Sequence, residues 1–119
     1  MLKIAHHALY NHPLKENHRF PMIKYELIPE QLIMENTCVE NNFFKPKIFS
    51  EENILLTHDK IYFDKLQNQQ LDRKEIRAIG FPMSEKLIER EKTIVQGTVE
   101  CSLNSVSYTH LRAHETPAN

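Results

Sequence analysis

Glycine is scarce: Gly80 and Gly97 are the only two in 119 residues. Enzymes that bind substrate in α/β folds use several glycines for tight turns and for close backbone approach at the site. A chain with two such positions has little material for site-building loops, so those loops are expected in other sequence. The remaining composition is that of an ordinary folded chain, with 40% hydrophobic and 26% charged residues, which argues against disorder and against fibrous repeats.

Fifteen Lys and Arg against sixteen Asp and Glu leave a net charge of −1. That balance offers no general attraction to a nucleic-acid backbone. No apolar run approaches the roughly 18 residues of a membrane span, and Met1-Leu2-Lys3-Ile4 is not followed by the apolar stretch of a secretory leader. A cytoplasmic protein with neither nucleic acid nor membrane as a direct partner is expected. Cys38 and Cys101 lack close metal-ligand spacing and read as free thiols.

Leu2 to Ala5 reads as a first short strand, with His6-His7 at its exit. From Arg19 the spacing turns helical. Pro21 suits a first turn, Met22, Ile23, Leu27 and Ile28 share a face, and Pro29 should kink or restart the helix. Residues 36–47 read as a connection, with Phe43, Phe44 and Ile48 anchored in a core. Ser50 is a candidate cap for one turn, and Ile54-Leu55-Leu56 is an apolar run of buried-strand type. Asp59 should cap a helix from Lys60 to about Gln67. Asp72 with Glu75 has the signature of a capping box, with Gly80 as terminator. Ser84 opens the last helix, whose Leu87, Ile88, Ile94, Val95 and Val99 recur at three and four and should pack on a sheet. Strand and helix in alternation predict an α/β domain with a parallel sheet, although two short strands are too few to complete one.

Seven histidines invite a metal reading, since neutral imidazole is a common zinc ligand and His6, His7, His12 and His18 cluster early. The spacing opposes it: adjacent strand residues face opposite ways, so His6 and His7 cannot readily serve one ion. No glycine-rich phosphate loop, Gly-x-Ser-x-Gly or His-Glu-x-x-His is present. Glu51-Glu52 and Glu89-Arg90-Glu91 read as solvated charge.

Three segments together resemble the N-terminal region of the histone deacetylase and acetoin-utilisation deacetylase superfamily, in particular its bacterial members. The first runs from His12-Pro13 through His18-Arg19-Phe20-Pro21-Met22. The second is Ser50 to Tyr62, with Ile54-Leu55-Leu56-Thr57-His58 and then Tyr62. The third runs from Ile79-Gly80-Phe81-Pro82 to Gln96-Gly97-Thr98-Val99. The resemblance covers residues 1–103. It implies the N-terminal part of an arginase-like three-layer α/β fold with a parallel sheet, truncated before the catalytic strand. The family's zinc-dependent members hydrolyse the acetyl or acyl amide of a lysine or a smaller amine. The resemblance therefore implies zinc, and acetylated lysine or an acetylated small amine as substrate, for the longer parent. For this chain it implies no catalytic residue, metal ligand or cofactor. Arg19 matches an arginine lining the family's internal channel, where a cation could hold departing acetate. His18, His58 and Tyr62 carry over as scaffold residues. The Gly80-Phe81-Pro82 rim lacks the acidic residue with which some members grip a peptide backbone.

Val106 to Thr116 resembles one reading frame of a transposon-based sequencing adapter. Residues 104–119 are accordingly expected to be a non-native, disordered tail. The competing expectation is a small non-enzymatic α/β interaction module that contacts a partner around Phe43, Phe44 and Phe49.

Overall fold

The computed structural model describes residues 1–47 and 51–115, with side chains through residue 106. In chain order the elements are β1 (Ile4–Ala5), a 3-10 turn at Ala8–Tyr10, α1 (Lys24–Met34), a second 3-10 turn at Glu40–Asn42, β2 (Phe43–Phe44), α2 (Glu51–Leu55), α3 (Lys60–Gln67), α4 (Arg73–Ile79) and α5 (Glu85–Glu115). β1 and β2 pair in parallel, Ile4 opposite Phe43 and Ala5 opposite Phe44. The His6 N–H donates to the Phe44 carbonyl at 2.9 Å and closes the ladder. Helix α1 lies within the crossover that joins them, as parallel pairing demands.

This architecture overturns the expected three-layer α/β fold: the chain is 57% helix and 4% strand, with one two-stranded sheet among the described residues. The largest local difference is at Ile54-Leu55-Leu56. A short apolar run suits a buried strand or a helix equally, and neighbours decide. Here Glu51 and Glu52 favour the N-terminal end of a helix dipole, and the Ile54 carbonyl accepts from the N–H groups of Thr57 and His58 at 3.1 and 2.9 Å. Ile54 is buried while Leu56 is 81% exposed, so the run lacks the two covered faces of an interior strand.

Elements with local signals fall where the sequence puts them. Asp59 caps α3, its carboxylate accepting from the Tyr62 N–H at 3.3 Å. Asp72 and Glu75 exchange both bonds of a capping box at 2.8 and 3.1 Å, and α4 ends at Gly80 with φ +83°. Ser84 Oγ accepts from the Leu87 N–H at 3.1 Å at the start of α5. The proposed Ser50 cap, with Ile48 and Phe49, lies outside the described residues.

At 31 residues, α5 spans about 46 Å and is the spine. It packs on the 3-10 turn at Ala8–Tyr10 and on β1, with α3 on another flank. Leu87 (1% exposed), Phe63 (2%) and Ile88 (5%) form the core there, with Tyr10, Met22, Ile54 and Leu71 also buried. Gly97 lets the spine approach: a Cβ there would collide with the Tyr10 hydroxyl and lie 3.2 Å from Pro46 Cγ and 3.4 Å from Ala5 Cβ. Helix α1 runs continuously through Pro29 and buries none of its residues. Of the face expected to be apolar and covered, Met22 is buried while Ile23, Leu27 and Ile28 stay about half exposed. Helix α5 crosses the expected boundary at residues 103 and 104 and continues to Glu115; residues 116–119 lie outside the described ones.

Candidate functional site

The buried polar side chains among the described residues are Arg90 on α5 and His12 in the segment after β1. Arg90 is 3% exposed. Its Nε donates to the Tyr10 carbonyl at 2.8 Å, another nitrogen donates to Glu91 Oε1 at 2.6 Å, and its guanidinium lies 5.1 Å from the centre of the Tyr25 ring. His12 is 6% exposed, and its Nδ1 has no hydrogen-bond partner among the described residues. Burial holds the His12 imidazole below the usual histidine range, helped by the positive charges of Arg90 and Lys86 and opposed by Glu91. Burial also pushes the Tyr10 hydroxyl up, with Cys101 and Glu100 adding to the effect and Arg90 opposing it.

Arg90 is a residue that sequence reasoning missed. Within Glu89-Arg90-Glu91 it reads as solvated charge, yet it is the buried polar anchor of α5. Its spacing from Leu87 and Ile88 could have revealed it, since three positions beyond Leu87 lies the same helix face.

A second cluster joins the segment before α1 to the turn between α4 and α5. His18 Nδ1 accepts from the Phe20 N–H at 3.1 Å, so the ring proton sits on Nε2, which reaches the Gly80 carbonyl at 3.2 Å. The His18 ring stacks on Phe81 at 5.5 Å, Phe81 meets Phe20 edge-on at 5.3 Å, and Lys24 Nζ lies 4.7 Å from the Phe20 ring centre. His58 and Tyr62 lie on the other flank, lining an apolar cleft of about 260 Å³ with Ile79, Met83, Leu87 and Val95. His18, His58 and Tyr62 are thus all built against the α4–α5 junction. Arg19 is exposed and makes no hydrogen bond or ion pair with the described residues.

No protein-family model matches the chain. An uncharacterized protein of the cyanobacterium Picosynechococcus sp. is 29% identical over 96 residues, which are 81% of this chain and 32% of that relative. The chain spans about a third of the length of the relative it matches.

No group of three His, Cys, Asp or Glu among the described residues converges on a point that could hold an ion, and zinc needs three or four converging ligands. His6 leaves the sheet to contact Tyr10 and Phe43 edge-on, while His7 caps the following 3-10 turn, its Nδ1 accepting from the Leu9 N–H at 3.0 Å. Cys38 is buried and both cysteines are free thiols. No helix among the described residues is long and apolar enough to cross a membrane. Phe43 and Phe44 are half-buried in β2.

Proposed function

We propose that this chain is the N-terminal part of a zinc-dependent deacetylase that hydrolyses the acetyl or acyl amide of a lysine or a small amine. In this reading zinc, its ligands and the acid and base groups are supplied by sequence beyond the chain. The observation that carries it is the convergence at the α4–α5 junction of the three segments that resemble that family. Residues 12–22 arrive through His18 and Phe20, residues 50–62 through His58 and Tyr62, and the third segment supplies Ile79, Gly80, Phe81 and Met83. A relative about three times the length of the matched region leaves ample chain for a catalytic half. In the intact protein the exposed Arg19 would become a channel residue, its guanidinium holding the acetate product.

The test is to clone the gene past codon 103 from genomic DNA and assay the encoded full-length protein on an acetyl-lysine reporter and on an acetylated diamine. Acetate release that stops on chelation and returns with zinc is expected, with Arg19→Met lowering turnover. A gene that terminates directly after Leu103, or a zinc-loaded full-length protein that releases no acetate from either substrate class, overturns the proposal.

A further inference from the structure

Three histidines hold the segment between β1 and α1 in place, and each is built into a position that a protonated ring cannot fill. At the start, His7 Nδ1 accepts the Leu9 N–H at 3.0 Å and caps the 3-10 turn. At the end, His18 Nδ1 accepts the Phe20 N–H at 3.1 Å. An acceptor nitrogen must carry a free lone pair, which a proton removes. Between them His12 is buried with its Nδ1 unpartnered among the described residues, and it feels the positive charge of the buried Arg90. A proton there would create a donor with nothing to receive it and a second cation against Arg90.

We infer that residues 7–20 form a pH-sensitive clasp, closed at the Leu9, His12 and Phe20 positions only while His7, His12 and His18 are all neutral. The charges around each ring agree with this. His12 feels Arg90 and Lys86, with Glu91 as the opposing anion, all on α5. His7 shares a groove with Lys47, Glu51, Glu89 and Lys92, and interacts with the His6 ring that precedes it. His18 packs against Phe81 and the Gly80 carbonyl, which bring no formal charge. The His18 Nε2 contact to Gly80 survives protonation, so the clasp opens from the Leu9, His12 and Phe20 positions while its junction end remains tethered. The clasp stands on hydrogen-bond geometry and burial, independently of the proposed deacetylase.

Amide exchange and ring NMR on the full chain, from pH 7.5 to 5 at constant ionic strength, test it. The Leu9 and Phe20 amides are expected to lose protection as the pH falls across this range, because a protonated Nδ1 cannot accept their N–H groups. The Phe63 and Ile88 amides, bonded to the backbone carbonyls of Asp59 and Ser84, should keep theirs. His7→Asn and His18→Asn replace a titratable acceptor with a permanent one, and each should abolish the pH dependence at its own amide. The inference is overturned if Leu9 and Phe20 stay equally protected at pH 5, if they lose protection only together with Phe63 and Ile88, or if the Asn variants leave the pH dependence in place.

Discussion

The Arg90 guanidinium donates to the Tyr10 carbonyl at 2.8 Å across 80 positions of sequence, and so fastens the spine helix to the turn that follows the first strand. The contact is buried, whereas the carboxylate of Glu91 that Arg90 also meets is 46% exposed and gains less from its ion pair. Arg90→Ala would leave the Tyr10 carbonyl without its donor and strip the cover from the Tyr25 ring. A loss of about 2–4 kcal/mol in stability is expected, by analogy with other buried charge-assisted hydrogen bonds. Arg90→Lys should recover only part of it, because an ammonium cannot hold the carbonyl and lie flat on the ring together. Urea unfolding midpoints measure both; a midpoint shift within error for Arg90→Ala would show that the anchor is dispensable.

The difference between what could be read in advance and what could not follows the range of the interactions. Asp59, the Asp72–Glu75 pair, Gly80 and Ser84 act within four residues of themselves, and each lies where the sequence places it. Ile54-Leu55-Leu56 reads as a buried strand and is helical instead, because Ile54 lines one cleft with Phe63, Leu87 and Ile88 of α3 and α5, which no local pattern specifies. The expected sheet failed for the same reason. Phe43 and Phe44 read as core anchors within a connection, yet they form the second strand, while α5 meets a 3-10 turn and α3 as well as β1. Of the site, the placement of His18 and Tyr62 follows from no local rule either. Arg90 was hidden by its charged neighbours, since burial is set by what crosses over the helix.

Gly97 marks the other place where the spine and the N-terminal turn touch. Alanine is the better helix former by about 1 kcal/mol, so on an open helix Gly97→Ala would stabilise. Here the added methyl meets the Tyr10 hydroxyl, with Pro46 and Ala5 behind it. Overpacking of this kind costs about 1–3 kcal/mol and should outweigh the gain, giving a net loss. Removing the hydroxyl with Tyr10→Phe should shrink that loss, so the double variant is expected to be more stable than the two single effects add up to. A stabilising Gly97→Ala in the parent background would contradict the close approach.

His6 and Tyr10, edge to face at 6.0 Å, give stability a limit at each end of the pH scale. Burial, with a smaller contribution from His7, holds the His6 ring below 6.5. The folded state therefore favours the neutral ring, and this contribution is present above pH 6.5 and is lost as the pH falls through the depressed value. Burial raises the Tyr10 hydroxyl above 10.0, so its contribution is present below pH 10.0 and is lost as the pH rises through the raised value. His6→Phe should flatten the acid side and Tyr10→Phe the alkaline side of a stability profile taken by denaturant unfolding between pH 5 and 11. If His6→Phe instead steepens the acid side, the ring is being stabilised in its charged form and the assignment is reversed.

The last prediction concerns metal and turnover in the chain as it stands. Zinc held as a structural or catalytic ion takes three or four ligands at about 2.0–2.3 Å, and such a site draws protons off its ligands as it fills. His6 and His7 are committed to separate neighbours, His12 is buried against a cation, and His18 uses both ring nitrogens on Phe20 and Gly80. Loading zinc on the Nδ1 of His7 or His18 means breaking a hydrogen bond that holds the N-terminal segment, and loading it on His12 brings a further cation to a buried ring that already feels Arg90 and Lys86. The chain is therefore expected to bind zinc only weakly and without fixed stoichiometry, and to leave an acetyl-lysine reporter intact whether or not zinc is added. Calorimetric titration with zinc, followed by the reporter assay on the same sample, reads both. One tight equivalent of zinc, or zinc-dependent release of acetate by these 119 residues, would place the catalytic centre within this chain and remove the need for a second half.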